Sequence, residues 1–90
     1  MKVQITATAP THYQLQSLRA FNLDVKKNGN GSYTGSKIFD TKMEARVYLD
    51  NRAQQYFDDE KQLKEAQRDI RLYGVLRLDA VSASINKIED

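Results

Sequence analysis

Ninety residues with no cysteine make one small domain, with no disulfide staple and no thiolate for catalysis or metal binding. The formal charge of +2, from 14 basic and 12 acidic residues, is too slight to argue for nucleic acid by itself. An apolar share of 40% and a charged share of 29% suit a folded chain with much polar surface. No apolar run nears the ~20 residues of a membrane helix, and nothing in the composition conflicts with a reducing cytosol.

The first element is predicted over residues 2–9. Val3, Ile5 and Ala7 fall on one side, and Lys2, Gln4, Thr6 and Thr8 on the other, as in a half-buried strand. Met1 opens this pattern at once with no apolar leader, which suits a complete small protein without a signal peptide. Pro10 ends the strand.

Residues 11–17 read two ways. Thr11 with Gln14 can form a capping box that opens a helical turn. Alternatively, Tyr13 and Leu15 begin an alternation that continues through Phe21, Leu23 and Val25. The second is preferred: a turn at 10–12, then a strand that starts within 13–18 and runs to 27, with Phe21, Leu23 and Val25 inward. Asn28-Gly29-Asn30-Gly31 predicts a tight turn whose two Asn-Gly pairs supply positive φ. A strand follows over 32–39, where Gly35 signals a bulge or a bend.

Thr41 is placed to cap a helix over 41–57, and Glu44 completes the capping box. Ala45, Tyr48, Leu49, Arg52 (by its stem), Ala53 and Tyr56 form its apolar stripe. Asp59 with Gln62 caps a second helix over 60–73, with the stripe Leu63, Ala66, Ile70 and Tyr73, and Gly74 ends it as the C′ residue. The last strand begins at Val75. Its apolar set switches from Leu76, Leu78 and Ala80 to Val81, Ala83 and Ile85, which places a bulge near Ala80.

The predicted order is β-β-β-α-α-β in a single domain over 1–90. It implies an α+β two-layer sandwich: an antiparallel sheet of about four strands, with two helices on one face. Short turns make the first and second strands, and the second and third, antiparallel neighbours.

No catalytic constellation stands out. The only histidine, His12, stands alone in a polar turn, where such a side chain is ordinarily just exposed. Asp58, Asp59 and Glu60 are adjacent in sequence and lack calcium-loop spacing, so they read as acids that complement a helix dipole. The glycines of N-G-N-G-S-Y-T-G join strand to strand, and no G-K-[ST] follows them. The chain therefore reads as a non-enzyme with no metal and no cofactor.

The contact candidates cluster around the central hairpin: Lys26, Lys27, Asn28, Asn30, Tyr33 and Lys37, with Lys42 and Arg46 beside it. Cations, amides and an aromatic at a loop tip suit phosphates or an acidic protein surface. Equally, lysines there can simply guard sheet edges. Tyr13 is a further exposed aromatic. Tyr48, Tyr56 and Tyr73 read as core or core rim. Arg68 and Arg71 read either as a second basic patch or, with Glu65 and Asp69 beside them, as members of ordinary helix ion pairs, the second being preferred.

Two resemblances follow from these residues. The segment S-K-I-F-D-T-K-M-E-A-R-V-Y-L is similar to the strand-to-helix signature of AP2-like and integrase arm-type DNA-binding modules. Phe39, Thr41, Glu44, Ala45, Tyr48 and Leu49 carry the match, within residues 20–55. That resemblance implies DNA contact through the sheet, with Lys26, Tyr33 and Lys37. The whole format also resembles phage-encoded anti-CRISPR proteins that inhibit type I surveillance complexes. There the match rests on the Asn-Gly turn, Phe39-Asp40-Thr41, Glu44 and Tyr48-Leu49. It implies a stoichiometric inhibitor in the host bacterial cytoplasm that docks on a Cas complex and blocks target DNA without chemistry. A protein–protein adaptor that uses a sheet face or edge is the third expectation. The inhibitor reading is preferred, with a protein partner ahead of nucleic acid and no membrane association.

Overall fold

The computed structural model describes residues 2–88, so Met1, where the strand pattern was expected to open, lies outside the described residues. The chain is an α+β sandwich with one sheet and one layer of helices. Its elements are β1 (Val3–Ala9), a 3-10 turn (His12–Gln14), α1 (Leu15–Arg19), β2 (Asp24–Lys27), β3 (Tyr33–Phe39), α2 (Lys42–Tyr56), α3 (Glu60–Tyr73), β4 (Val75–Leu78) and β5 (Val81–Lys87). The sheet has five strands in the order β2-β3-β1-β5-β4, and every neighbouring pair is antiparallel. The extents of 37 × 35 × 16 Å are those of a slab two layers deep.

β1 lies at the centre of the sheet. Its inward residues Val3, Ile5, Ala7 and Ala9 are buried, as the alternation requires. It pairs with β3 on one side and β5 on the other, and not with β2. The adjacency expected between the first and second strands is therefore corrected. The reason lies in residues 11–23, which carry the chain across the sheet before β2 begins.

That crossing is helical where a strand was expected. Leu15 and Leu18 are three apart and Phe21 three further on. This is a helical spacing that coexists with the apparent alternation from Tyr13. Leu18 and Phe21 are fully buried. A helical turn does open after Thr11, with the Gln14 N–H donating to the Thr11 carbonyl at 3.2 Å, but without the expected capping box: the Thr11 hydroxyl donates to Oε1 of Gln14 and caps no backbone N–H. Asn22 then adopts φ 55°, a left-handed conformation that asparagine tolerates and that turns the chain into β2. β2 is only four residues long and exposed throughout, so Val25, expected inward, is an edge residue at 39% exposure.

Gly35 has a packing reason rather than a bulge. It pairs regularly with both Ala7 and Val25. A Cβ there would lie 3.1 Å from Leu18 Cδ1 and 3.2 Å from Leu23 Cβ. The missing side chain lets α1 and the segment before β2 sit close against the strand.

The two long helices begin and end as their caps direct. Thr41 Oγ1 accepts from the Glu44 backbone N–H at 3.2 Å, and Asp59 Oδ1 accepts from that of Lys61 at 2.8 Å. Gly74 closes α3 at φ 65°, its N–H donating to the Ile70 carbonyl at 2.9 Å. α2 buries Ala45, Leu49 and Ala53, and α3 buries Ala66 and Ile70. Tyr56 and Tyr73, expected at the core or its rim, are 42% and 71% exposed, and each is the last residue of its helix.

The expected bulge near Ala80 is a hairpin. Leu78 pairs with Val81 and Leu76 with Ala83, so all four apolar side chains share the covered face. A two-residue turn at Asp79–Ala80, with Asp79 at φ 57°, produces the switch of phase. Ser17 of α1 donates to Asp79 Oδ2 at 3.0 Å and pins this turn to the helical layer.

Candidate functional site

Register decides which side chains the sheet offers outward. Val3, Ile5 and Ala7 face the helices, so their partners Phe39, Lys37 and Gly35 on β3, and Lys87, Ile85 and Ala83 on β5, face the same way. The opposite face carries Gln4, Thr6 and Thr8 on β1, Thr34 and Ser36 on β3, and Ser82, Ser84 and Asn86 on β5. Charge on this face lies at the outer strands: Asp24 and Lys26 on β2, and Arg77 on β4. Its centre is neutral, small and hydrogen-bonding. Asn86 Nδ2 donates to Thr6 Oγ1 at 3.1 Å and to Ser84 Oγ at 3.2 Å, which ties β1 to β5 across the surface. Ile38, 58% exposed, is an apolar point in the same plane.

The contact candidates do not converge. Lys26 opposes Thr34 on the open face, whereas Lys27 opposes Tyr33 with side chains directed to the helical side. Asn28 and Asn30 are engaged in building the turn. The Asn28 amide donates to Ser32 Oγ and Thr34 Oγ1, both at 2.9 Å. Asn30 Oδ1 accepts from the Ser32 N–H at 3.1 Å and the Ser32 hydroxyl at 2.7 Å. Of the two turn glycines only Gly31, at φ 88°, uses the left-handed region. Tyr33 is half-buried against the core.

Lys37 belongs to the corner between β3 and α2. Its Nζ stands 4.9 Å from the centre of the Tyr48 ring and 5.9 Å from that of Phe39, a cation over two aromatic faces. The two rings pack at 5.2 Å. The Tyr48 hydroxyl donates to the Phe21 carbonyl at 2.8 Å, with the Asn22 carbonyl also in reach. Burial pushes the Tyr48 hydroxyl's pKa above its ordinary 10.0, Arg52 opposes that and Asp24 adds to it. Arg52 Nε donates to the Ala20 carbonyl at 3.1 Å, so α2 grips three successive carbonyls of the crossing segment.

Lys42 is exposed in the first turn of α2, beside a cleft of about 250 Å³ with Val3, Thr41, Ile85 and Lys87. Arg46 turns the other way, toward α3, where its Nη2 donates to the Arg71 carbonyl at 3.5 Å. Arg68 and Arg71 do not form the ion pairs expected with Glu65 and Asp69. Among the described residues the salt bridge is Lys64–Glu60, at 3.3 Å and well exposed. Tyr13 is 87% exposed and stacks on His12 with ring centres 4.8 Å apart.

The open sheet face, expected as an adaptor's surface, is built by the polar residues that alternate with the core in β1 and β5. Arg46, expected beside the hairpin, instead shares a groove with Arg71. No local sequence signal marks that pairing, because it depends on how two helices pack. Among the described residues no His, Cys, Asp and Glu cluster has a metal-holding arrangement, and no helix is long and apolar enough to cross a membrane. No protein-family model, curated protein or solved structure matches the chain.

Proposed function

We propose that this chain is a non-enzymatic binding protein that acts by stoichiometric docking on a protein assembly. The observation that supports the reading is the broad open sheet face, whose centre is built from Thr, Ser, Asn and Gln side chains. These side chains bring both donors and acceptors to a partner, and the short Thr and Ser among them lose less rotamer freedom when covered than long side chains do. The cations at the β2 edge and its hairpin add orientation without making the surface a continuous phosphate track.

The resemblance to small phage-encoded inhibitors gives the partner its identity in this reading: a type I CRISPR-Cas surveillance complex, whose access to target DNA the bound chain obstructs. The test mixes purified protein with a purified type I complex. Co-elution at a fixed ratio, together with loss of target-DNA retention and no shift of free duplex, is the expected result. Retardation of free duplex that weakens steeply with salt would instead make this a DNA-binding module.

A further inference from the structure

α2 and α3 pack side by side and leave a groove of about 360 Å³ lined by Arg46, Val47, Asp50, Gln67, Ile70 and Arg71. Its chemistry is unbalanced. Arg46 Nε is shut off from solvent with no hydrogen-bond partner, and Nη2 of the same side chain has only the 3.5 Å contact to a carbonyl. A guanidinium N–H left without an acceptor is costly, and a small rotation of the side chain toward the groove would bring an acceptor within reach. Asp50, the acid that lines the groove, does not supply one: its Oδ2 accepts from the Gln54 amide at 2.9 Å, and it forms no ion pair with Arg46 or Arg71.

The flank of the groove is apolar. Val47 is 54% exposed, and Met43, one helical turn earlier on the same side of α2, is 72% exposed. Arginine and methionine set together on an open surface are characteristic of protein–protein contacts. A guanidinium also matches the fork of a carboxylate with two parallel donors.

We propose that this groove captures an acidic side chain of a partner protein. The carboxylate lies between Arg46 and Arg71, and an apolar neighbour in the partner covers Val47 and Met43. A nucleic-acid backbone fits less well, because a line of phosphates would pass Asp50 and gain nothing from the apolar flank. The inference rests on the reading of the chain as a docking protein for a protein partner, and it places a second contact surface on the side of the slab opposite the open sheet face.

The probe is a capped Leu-Asp-Glu-Leu peptide, titrated into 15N-labelled protein and followed through the arginine Nε–H and backbone signals. A matched Leu-Asn-Gln-Leu peptide, inorganic phosphate and a thymidine octanucleotide serve as comparisons. The acidic peptide is expected to shift the Arg46, Arg71 and Val47 signals with at least tenfold greater affinity than the amide peptide or phosphate. Arg46→Gln and, separately, the exposed Arg71→Gln each weaken it at least tenfold, while Arg68→Gln leaves it unchanged. Equal binding of the amide peptide, tighter binding of the oligonucleotide, or no shift in the groove would overturn the proposal. The two readings are separated with the surveillance complex. Unchanged co-elution of Arg71→Gln sinks the groove alone, whereas failure of the unsubstituted protein to co-elute sinks the docking partner.

Discussion

The Tyr48 hydroxyl donates to the backbone carbonyl of Phe21 at 2.8 Å, so a side chain from the middle of α2 fixes the segment that delivers the chain to β2. Phe21 is itself fully buried, and Asn22 beside it holds the left-handed turn. Tyr48→Phe keeps the ring contact with Phe39 and removes only the donor. Two carbonyls then lose a shared partner, at a cost of about 1–2 kcal/mol, which in a chain of this size lowers Tm by roughly 4–8 °C per kcal/mol. Differential scanning calorimetry of the two proteins measures it, and an unchanged Tm would show that water replaces the hydroxyl without loss.

The same residue gives a dependence on pH. Its pKa in the folded protein is raised above 10.0, so from there upward the unfolded chain loses this proton before the native state does. Its contribution is therefore complete below pH 10 and declines as pH rises through the folded value. Urea midpoints between pH 9 and 11 should fall less steeply for Tyr48→Phe than for the unsubstituted protein. Parallel slopes would locate the alkaline loss elsewhere.

What the sequence disclosed depended on how far away the deciding partner lies. Thr41, Asp59 and Gly74 act on backbone groups within four residues, so their caps were legible. The β4–β5 hairpin resembles a bulged strand in sequence because a bulge and a two-residue turn shift the apolar phase alike, and Asp79-Ala80 lacks the Asn-Gly sign that marks such turns. The crossing segment is ambiguous in sequence because Tyr13, Leu15, Phe21 and Leu23 keep a period of two while Leu15, Leu18 and Phe21 keep a spacing of three, and burial of Leu18 and Phe21 settles it. The contact set was legible as residues and not as a surface. Whether Lys26 and Lys37 share a face follows from their register with strands far off in sequence.

Glycine substitutions separate packing from backbone strain. Gly35→Ala puts a Cβ 3.1 Å from Leu18 Cδ1 and 3.2 Å from Leu23 Cβ, in a place where Leu18 is fully buried and cannot swing away. A loss of about 1–2 kcal/mol is expected from this overpacking. Gly31→Ala meets no atom within 4 Å, yet at φ 88° it carries a strain of about 1 kcal/mol or more. Gly29→Ala meets neither obstacle and should be neutral or slightly stabilising, by up to about 1 kcal/mol. Chemical denaturation of the three variants tests the order, and an equal loss at Gly29 and Gly31 would contradict the backbone assignment.

Charge reversal distinguishes the hairpin from the corner behind it. Lys26 and Lys27 are exposed on an edge strand, and no salt bridge among the described residues involves them. The double variant Lys26→Glu, Lys27→Glu should therefore leave Tm within about 2 °C, since isolated surface changes are small. Lys37→Glu removes a cation from the faces of Tyr48 and Phe39 and should cost about 0.5–1 kcal/mol. If the hairpin contacts the partner, the double variant weakens docking at least tenfold at unchanged Tm, while Lys37→Glu lowers Tm and weakens docking little. Docking measured by surface plasmon resonance against the immobilised surveillance complex, with melting curves for the same preparations, reads both effects. Loss of docking in Lys37→Glu with full docking in the double variant would transfer the contact from the hairpin to the β3–α2 corner.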